Sequence, residues 1–299
     1  MSHVIMGVWP LAGITSGAVE PETARATIDA AIDAGIDTFD TAYSYGYQGE
    51  AELRLGEVLR RRRSAAEPLQ VIGKVGQRWT ADRQRYTDGS PQQLTRDAEE
   101  SLRRLGIERF DCLLLHAVDA KVDLRRSAEA IDALRRRGLA DRIGISNANS
   151  EELQRFAGQV SCSAIQCPLN LLQQHTLESL LPTARRVGAG GYVYWTLMKG
   201  LLAGRISRDQ TFEPGDSRPG YEIFQGEKRR RAHDVVDGLE AIAADADTTV
   251  ARLAIGWALA QPGVVGALVG AKSPEQIREN AAARPLDQSL LQRIARLAA

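Results

Sequence analysis

The sequence has 299 residues, with 38 lysines and arginines against 38 aspartates and glutamates, so no net field draws it to nucleic acid or an anionic membrane and no polyanionic substrate is expected. Its three cysteines, Cys112, Cys162 and Cys167, are too few and too scattered for a disulfide framework or a zinc knuckle, and they read as core thiols of a protein in the reducing cytoplasm. No basic stretch leads into an apolar run at the N-terminus, and no segment reaches the ~18 apolar residues of a membrane span.

In chain order, the first apolar run is Val4–Trp9, and Pro21 then sits where a first-turn proline opens a helix. Ala34-Gly35-Ile36 stops that helix, because a glycine takes the left-handed cap at little cost and the aliphatic residue behind it packs back on the last turn. Strands Asp37–Asp40 and Leu69–Val75 follow, then a helix opened by Ser90 as cap and Pro91, and a second stop at Leu105-Gly106-Ile107 that feeds strand Phe110–Leu115. A third stop, Arg137-Gly138-Leu139, feeds strand Arg142–Ser146, and Ala164–Cys167 and Gly191–Tyr194 are the next two strands. After an irregular stretch from Leu202 to Gly226 that holds Pro214, Gly215, Pro219 and Gly220, Thr248 or Thr249 opens the helical run Val250–Ala260 ahead of strand Val264–Val269.

Eight strands in helical alternation specify an α/β fold and close a (β/α)₈ TIM barrel, expected as a single domain over residues 1–299 with the irregular stretch as a long lid loop after strand seven. A doubly wound open sheet is the rival architecture, but no Gly-x-Gly-x-x-Gly follows the first strand. The active site of such a barrel lies at the C-terminal ends of its strands. There Asp40 ends the second strand, Tyr45 follows in its loop, Lys74 ends the third and His116 ends the fourth. Each alone has an ordinary alternative as a salt-bridged rim residue, a loop-packing ring or a core histidine. Together they fit carbonyl reduction. A tyrosine, with a pKa of about 10, is a reluctant proton donor unless a lysine cation lowers that value, and a carboxylate keeps the cation in place. A histidine at the same rim orients the carbonyl and donates a hydrogen bond to the developing oxyanion.

The segment Gly35-Ile36-Asp37-Thr38-Phe39-Asp40-Thr41-Ala42-Tyr43-Ser44-Tyr45-Gly46 resembles the signature of the aldo-keto reductase superfamily. Further matches follow in the family's order: Glu50, Glu52, Leu55 and Gly56; Ile72-Gly73-Lys74; Asp111 to His116; Gly144-Ile145-Ser146-Asn147; Gln166; Tyr194 to Arg205; and Gly270 to Asn280. The resemblance implies a tetrad of Asp40, Tyr45, Lys74 and His116, with Tyr45 as general acid in reduction and general base in oxidation. It implies that Ser146, Asn147 and Gln166 bind the nicotinamide carboxamide and that Tyr194 stacks on the ring. The turn containing Leu197, Gly200, Leu202 and Gly204, with Arg205, would cradle the pyrophosphate. Gly270, Lys272, Ser273, Gln276 and Asn280 would hold the adenosine phosphate, and Arg218, within a Gly-Asp-Ser-Arg stretch that resembles a lid motif, would reach the phosphates.

Four departures qualify the match. Trp195-Thr196 stands where many members have serine-proline, and Gln276 stands where some branches carry an arginine for the 2′-phosphate. Without an arginine at 276, the implied preference for NADP(H) rests on Lys272, Arg218 and Arg205 alone, with NAD(H) the alternative. The chain reaches its first strand without the usual N-terminal hairpin, so the barrel floor is expected to be covered differently or open. It ends soon after Asn280, which implies that a long C-terminal substrate loop is absent and the pocket open. Trp9, Trp79 and Tyr47 are candidates for an apolar wall around a small aldehyde or ketone, with ordinary packing as the alternative. Two other functions stay open: NAD(P)⁺-dependent oxidation of a sugar or polyol, and a cofactor-binding regulatory subunit like the potassium-channel β subunits that resemble this family. No metal site is expected, since His116 has no clustered ligands beside it. Oligomeric state is not readable.

Overall fold

Strands buried on both faces need nearly continuous apolar sequence, and Phe110–Leu115 shows the pattern: every residue but Asp111 is buried, and the Asp111 carboxylate accepts from the Val71 backbone N–H at 2.7 Å on the neighbouring strand. In the computed structural model, which describes residues 3–14, 17–62 and 68–297, the chain runs β1 (His3–Gly7), α1 (Pro21–Asp33), β2 (Thr38–Asp40), α2 (Glu50–Arg62), β3 (Gln70–Val75), β4 (Gln77–Trp79), β5 (Arg85–Thr87), α3 (Pro91–Leu105), β6 (Phe110–Leu115), α4 (Leu124–Arg136) and β7 (Ala140–Ser146). It continues through α5 (Ser150–Ala157), β8 (Ala164–Pro168), α6 (His175–Glu178), α7 (Leu180–Arg186), β9 (Gly190–Tyr194), α8 (Gly226–Asp245), α9 (Val250–Leu259), β10 (Val264–Val269), α10 (Pro274–Ala281) and α11 (Gln288–Ala295).

The strands β1, β10, β9, β8, β7, β6, β3 and β2 pair in that order and return to β1, all parallel, which closes a (β/α)₈ barrel in a single domain. Ile5, Ile72, Cys112, Leu114, Ala164, Tyr192 and Leu268 fill its interior, while a larger apolar cluster occupies the space between strands and helices. Within that interior the Tyr192 phenol lies beside Arg142. All three cysteines are buried and free.

The glycine stops behave as expected, with φ of 84° at Gly35, 68° at Gly106 and 79° at Gly138. Thr249 caps α9 through a hydrogen bond from Arg252 N, but Ser90 only occupies the cap position of α3 and its hydroxyl makes no capping bond. Trp9 falls outside β1, in a 3₁₀ turn over Trp9–Ala12, because Pro10 has no N–H to extend the ladder. The β4–β5 hairpin was not anticipated: it is antiparallel, separate from the barrel, and stands over its C-terminal rim. Part of the irregular stretch is ordered, in 3₁₀ turns at Met198–Ala203, Arg218–Gly220 and Glu222–Phe224, and α8 begins at Gly226.

Candidate active site

Asp40 and Lys74 are drawn inward at the top of adjacent strands, and Lys74 Nζ lies 2.5 Å from Asp40 Oδ1 with both side chains 1% exposed. The second carboxylate oxygen accepts from Gln166 Nε2 at 2.7 Å. Beyond β2 the backbone of Thr41 and Tyr43 keeps donating to Ile72 and Lys74 carbonyls, carrying the chain over the rim before it turns at Tyr45, whose N–H donates to Ala42 O at 3.0 Å. The Tyr45 hydroxyl then reaches back to Asp40 Oδ1 at 3.5 Å, and Lys74 Nζ sits 4.8 Å from the centre of its ring. His116, placed by a backbone bond to Val75 O, meets Tyr45 edge to face at 5.9 Å between ring centres, and its Nδ1 is buried without a partner. The four residues of the expected tetrad therefore share one spot.

Burial pushes the Asp40 carboxyl up and the Lys74 ammonium down, each opposed by the other's charge. It also drives the Tyr45 phenol well above its ordinary value, reinforced by the Asp40 charge, and the His116 imidazole well below its own, reinforced by Lys74 and Arg85. The net direction is upward, because burial and the carboxylate 3.5 Å away outweigh the cations near the ring, Lys74 among them. What results is a neutral, proton-bearing phenol beside a neutral imidazole with an unused nitrogen.

The residues implied for the nicotinamide gather beside this group. Ser146 and Gln166 are register partners on β7 and β8, and Ser146 Oγ donates to Gln166 O at 3.3 Å. Asn147, held at φ 54°, donates to His116 O at 2.9 Å and accepts from the Tyr194 hydroxyl at 2.7 Å. Gln166 departs from its expected role in one respect: its amide donor is engaged by Asp40, so it also fixes the carboxylate.

After β9 the chain enters a run of left-handed residues, Trp195 (φ 60°), Met198 (φ 40°), Lys199 (φ 54°) and Gly200 (φ 96°), around Leu197 and on through Leu202 to Gly204. Non-glycine residues in that region cost of order 1–3 kcal/mol each and persist at functional turns, and successive N–H groups in such a turn suit an anion. Arg218 is clamped by Asp216 at 2.5 Å, and Arg218 and Lys272 lie close enough for the guanidinium to push the lysine's proton affinity down. A cleft of about 440 Å³ beside the 210–218 segment is lined by Gly13, Gly17, Asp216 and Arg218, and Tyr45 is not part of it. Arg218 and Lys272 are thus neighbouring cations of the kind that hold a phosphate. Arg205 instead pairs with Glu279, and Gln276 spends its side-chain carbonyl on Lys272 N at 2.9 Å, inside the loop that Ser273 caps. Gly270 packs against Pro10, and Asn280 is buried on α10.

Trp9 packs edge-on to Tyr45 at 4.9 Å, and Tyr47 meets Trp79 at 5.0 Å, so the structure places the three aromatics expected as a wall on the Tyr45 side of the rim. Trp79 is pinned there by its indole N–H donating to Ser44 O at 2.9 Å. The sequence reading missed Arg85, whose guanidinium lies 5.0 Å from the Trp9 ring and 4.6 Å from that of Trp79. The short alternations Gln77-Arg78-Trp79 and Arg85-Tyr86-Thr87 around an Asp-Arg turn were the available signal.

A parallel (β/α)₈ barrel with a buried Asp–Lys pair, a tyrosine and a histidine at one rim defines a class of cofactor-dependent oxidoreductase. The family model described as "Aldo/keto reductase family" matches residues 3–299, and the chain belongs to that family of oxidoreductases, which use nicotinamide cofactors and act on small carbonyl or alcohol substrates. It is 30% identical over 277 residues, 92% of this chain and 83% of the relative, to "Aldo-keto reductase YhdN" of Bacillus subtilis (strain 168). It is 29% identical over 303 residues, 97% and 91% respectively, to "NADH-specific methylglyoxal reductase" of Escherichia coli (strain K12). Among solved structures it matches the glycerol dehydrogenase AKR11B4 from Gluconobacter oxydans with a TM-score of 0.89 and 29% identity, over 98% of this chain and 90% of that one. Among the described residues no helix is long and apolar enough to cross a membrane.

Proposed function

We propose that this chain reduces small aldehydes or ketones to alcohols with a reduced nicotinamide cofactor, Tyr45 acting as the general acid. The observation that carries the reading is the Tyr45 phenol and the His116 ring, 5.9 Å apart between centres, over a buried Asp40–Lys74 pair. A bound reduced nicotinamide supplies the hydride. Tyr45 gives its proton to the carbonyl oxygen as negative charge develops there, and the positively charged Lys74 behind the ring stabilises the phenolate left behind. Asp40, held by Gln166, keeps Lys74 in place. Neutral His116 donates a hydrogen bond that selects one orientation of the carbonyl, and Trp9, Trp79 and Tyr47 exclude water from one side.

Ser146, Asn147 and Gln166 hold the carboxamide, Tyr194 covers the ring, and the Leu197–Gly204 turn holds the pyrophosphate. Over it, the 205–225 segment acts as a lid through Arg218. NADP(H) is the proposed cofactor, because Arg218 and Lys272 gather positive charge at the phosphate end; the similarity to an NADH-specific reductase makes NADH the comparison to run. The similarity to a glycerol dehydrogenase favours a second direction, NAD(P)⁺-dependent oxidation of a polyol, on the same residues. We place the protein in the cytoplasm, where its buried free thiols stay reduced and the cofactor is at hand.

Following cofactor absorbance with an aromatic aldehyde, for NADPH and NADH separately, tests the proposal. Turnover should fall by roughly 10²–10⁴-fold in Tyr45→Phe, the range general acid catalysis contributes, with cofactor affinity unchanged. Tight cofactor binding without turnover, and no difference in the variant, would replace the reductase with a regulatory cofactor-binding subunit.

A further inference from the structure

The β4–β5 register pairs Trp79 with Arg85 and Arg78 with Tyr86, so alternate side chains of the hairpin face opposite ways. One face is tied to the body of the protein, where Arg78 forms an ion pair with the buried Asp97. The other carries Arg85, stacked between the Trp9 and Trp79 indoles, and at the hairpin tip the Arg83 guanidinium lies 4.7 Å from the Tyr47 ring. Neither Arg83 nor Arg85 has a carboxylate within ion-pair distance among the described residues, whereas Arg25, Arg62, Arg104, Arg125, Arg208 and Arg218 all do. Arg85 is solvent-accessible, and the Trp9 ring it stacks on also packs against Tyr45 at 4.9 Å.

A guanidinium stacked on rings keeps its N–H edge free and loses little further freedom when that edge binds an anion. Carboxylate and phosphate match the fork of donors it presents. The charge also reaches the reacting groups, since it disfavours protonation at His116 and offsets part of the upward push on Tyr45. The groups facing Arg85 across the mouth are phenols, Tyr45, Tyr47 and Tyr221, and none of them neutralises it.

We propose that Arg85, seated between Trp9 and Trp79, is a specificity residue that receives an anionic group on the substrate, so that the preferred carbonyl compounds are short aldehydes or ketones bearing a carboxylate or a phosphate. This rests on the carbonyl-reduction reading above. It assigns a role to the unpaired cation at the mouth that an unselective pocket for neutral aldehydes would leave without use.

Three aldehydes of one shape test it: 4-formylbenzoate, 4-formylphenyl phosphate and neutral 4-methylbenzaldehyde, compared as ratios of kcat/KM. The anionic compounds should be preferred by about tenfold or more in low salt, equivalent to ~1.4 kcal/mol, and whichever of the two gives the larger ratio names the group. In Arg85→Gln the ratio should fall to near one whatever the absolute rate, Arg85→Lys should retain part of it, and high salt should shrink it in the unaltered protein. A ratio near one in the unaltered protein, or one that survives Arg85→Gln, reduces Arg85 to a tie between two indoles and overturns the proposal. Titration with unreactive benzoate, read by tryptophan fluorescence, separates the two failures. Quenching lost in Arg85→Gln, with no aldehyde turned over, keeps the anion site and rejects the reductase; turnover without quenching or charge preference does the reverse.

Discussion

His116 and Tyr45 are moved by burial in opposite directions with one chemical result: the imidazole stays neutral and the phenol keeps its proton throughout the neutral pH range. For reduction, the donor form of Tyr45 is the only form populated, so kcat should show no ionisation in the neutral range and no step near the usual value for histidine. In the alcohol-oxidising direction Tyr45 must first lose that proton, and with its pKa raised well above the ordinary value the active fraction stays small and climbs tenfold per pH unit. A pH–rate profile of log kcat for oxidation should therefore rise with unit slope through the alkaline range while reduction stays flat. A bell centred near neutrality in both directions would mean that the environment of Tyr45 is different from the one described here.

At the scale of elements, the site depends on strands meeting in the right register. Gly144 of β7 has no room for a side chain, since a Cβ there would lie 2.1 Å from the Ala164 backbone oxygen on β8. Backbone cannot swing aside as a side chain does, so Gly144→Ala must spread β7 from β8 and with them the Ser146–Gln166 pair two residues further on. A destabilisation at the upper end of, or beyond, the ~1–3 kcal/mol of ordinary overpacking is expected, seen as a lower Tm together with weaker nicotinamide binding. The ends of the strands were legible in the sequence for a physical reason. Parallel barrel strands are apolar on both faces, so the first polar residue after such a run, as at Asp40, Lys74 and His116, is visible without any alignment. The hairpin left only its two short alternations as a signal, because Gln77–Trp79 and Arg85–Thr87 bury no complete face and are held by long-range contacts such as Trp79 to Ser44. Nor could the sequence show that Gln276 is spent within its own loop, or that Trp195 adopts a left-handed conformation, since both depend on where neighbouring backbone ends up.

Across the molecule, α2, α3 and the loop leading to Tyr45 are tied through one buried carboxylate. Glu52 Oε2 accepts from Arg104 at 3.1 Å while Oε1 has no partner; Arg104 also pairs with Glu100 at 2.5 Å, and Tyr43 donates to Glu100 at 2.9 Å. Burial pushes the Glu52 carboxyl from its ordinary 4.5 up to about 7. The folded protein then holds a proton that the unfolded chain has released between those two values, so this group's contribution to stability is complete below about 4.5 and is lost as pH rises through about 7. In Glu52→Gln, which cannot titrate, the fall in Tm over that window should flatten. An unchanged slope would mean that Glu52 is ionised in the folded state, its charge fully met by Arg104.

The barrel is closed by β1 lying against β10, with His3 beside Gly266 and Met6 beside Val269. A ribosome releases His3 long before Val269, so through the whole interval between them the first strand has one of its two neighbours missing. Closure cannot be approached step by step: it waits on every strand between the two, the kind of long-range pairing that slows folding and leaves strand edges open to the wrong partner. The rim that gathers Asp40, Lys74 and His116 is thus assembled from parts made before the strand that completes the ring around them.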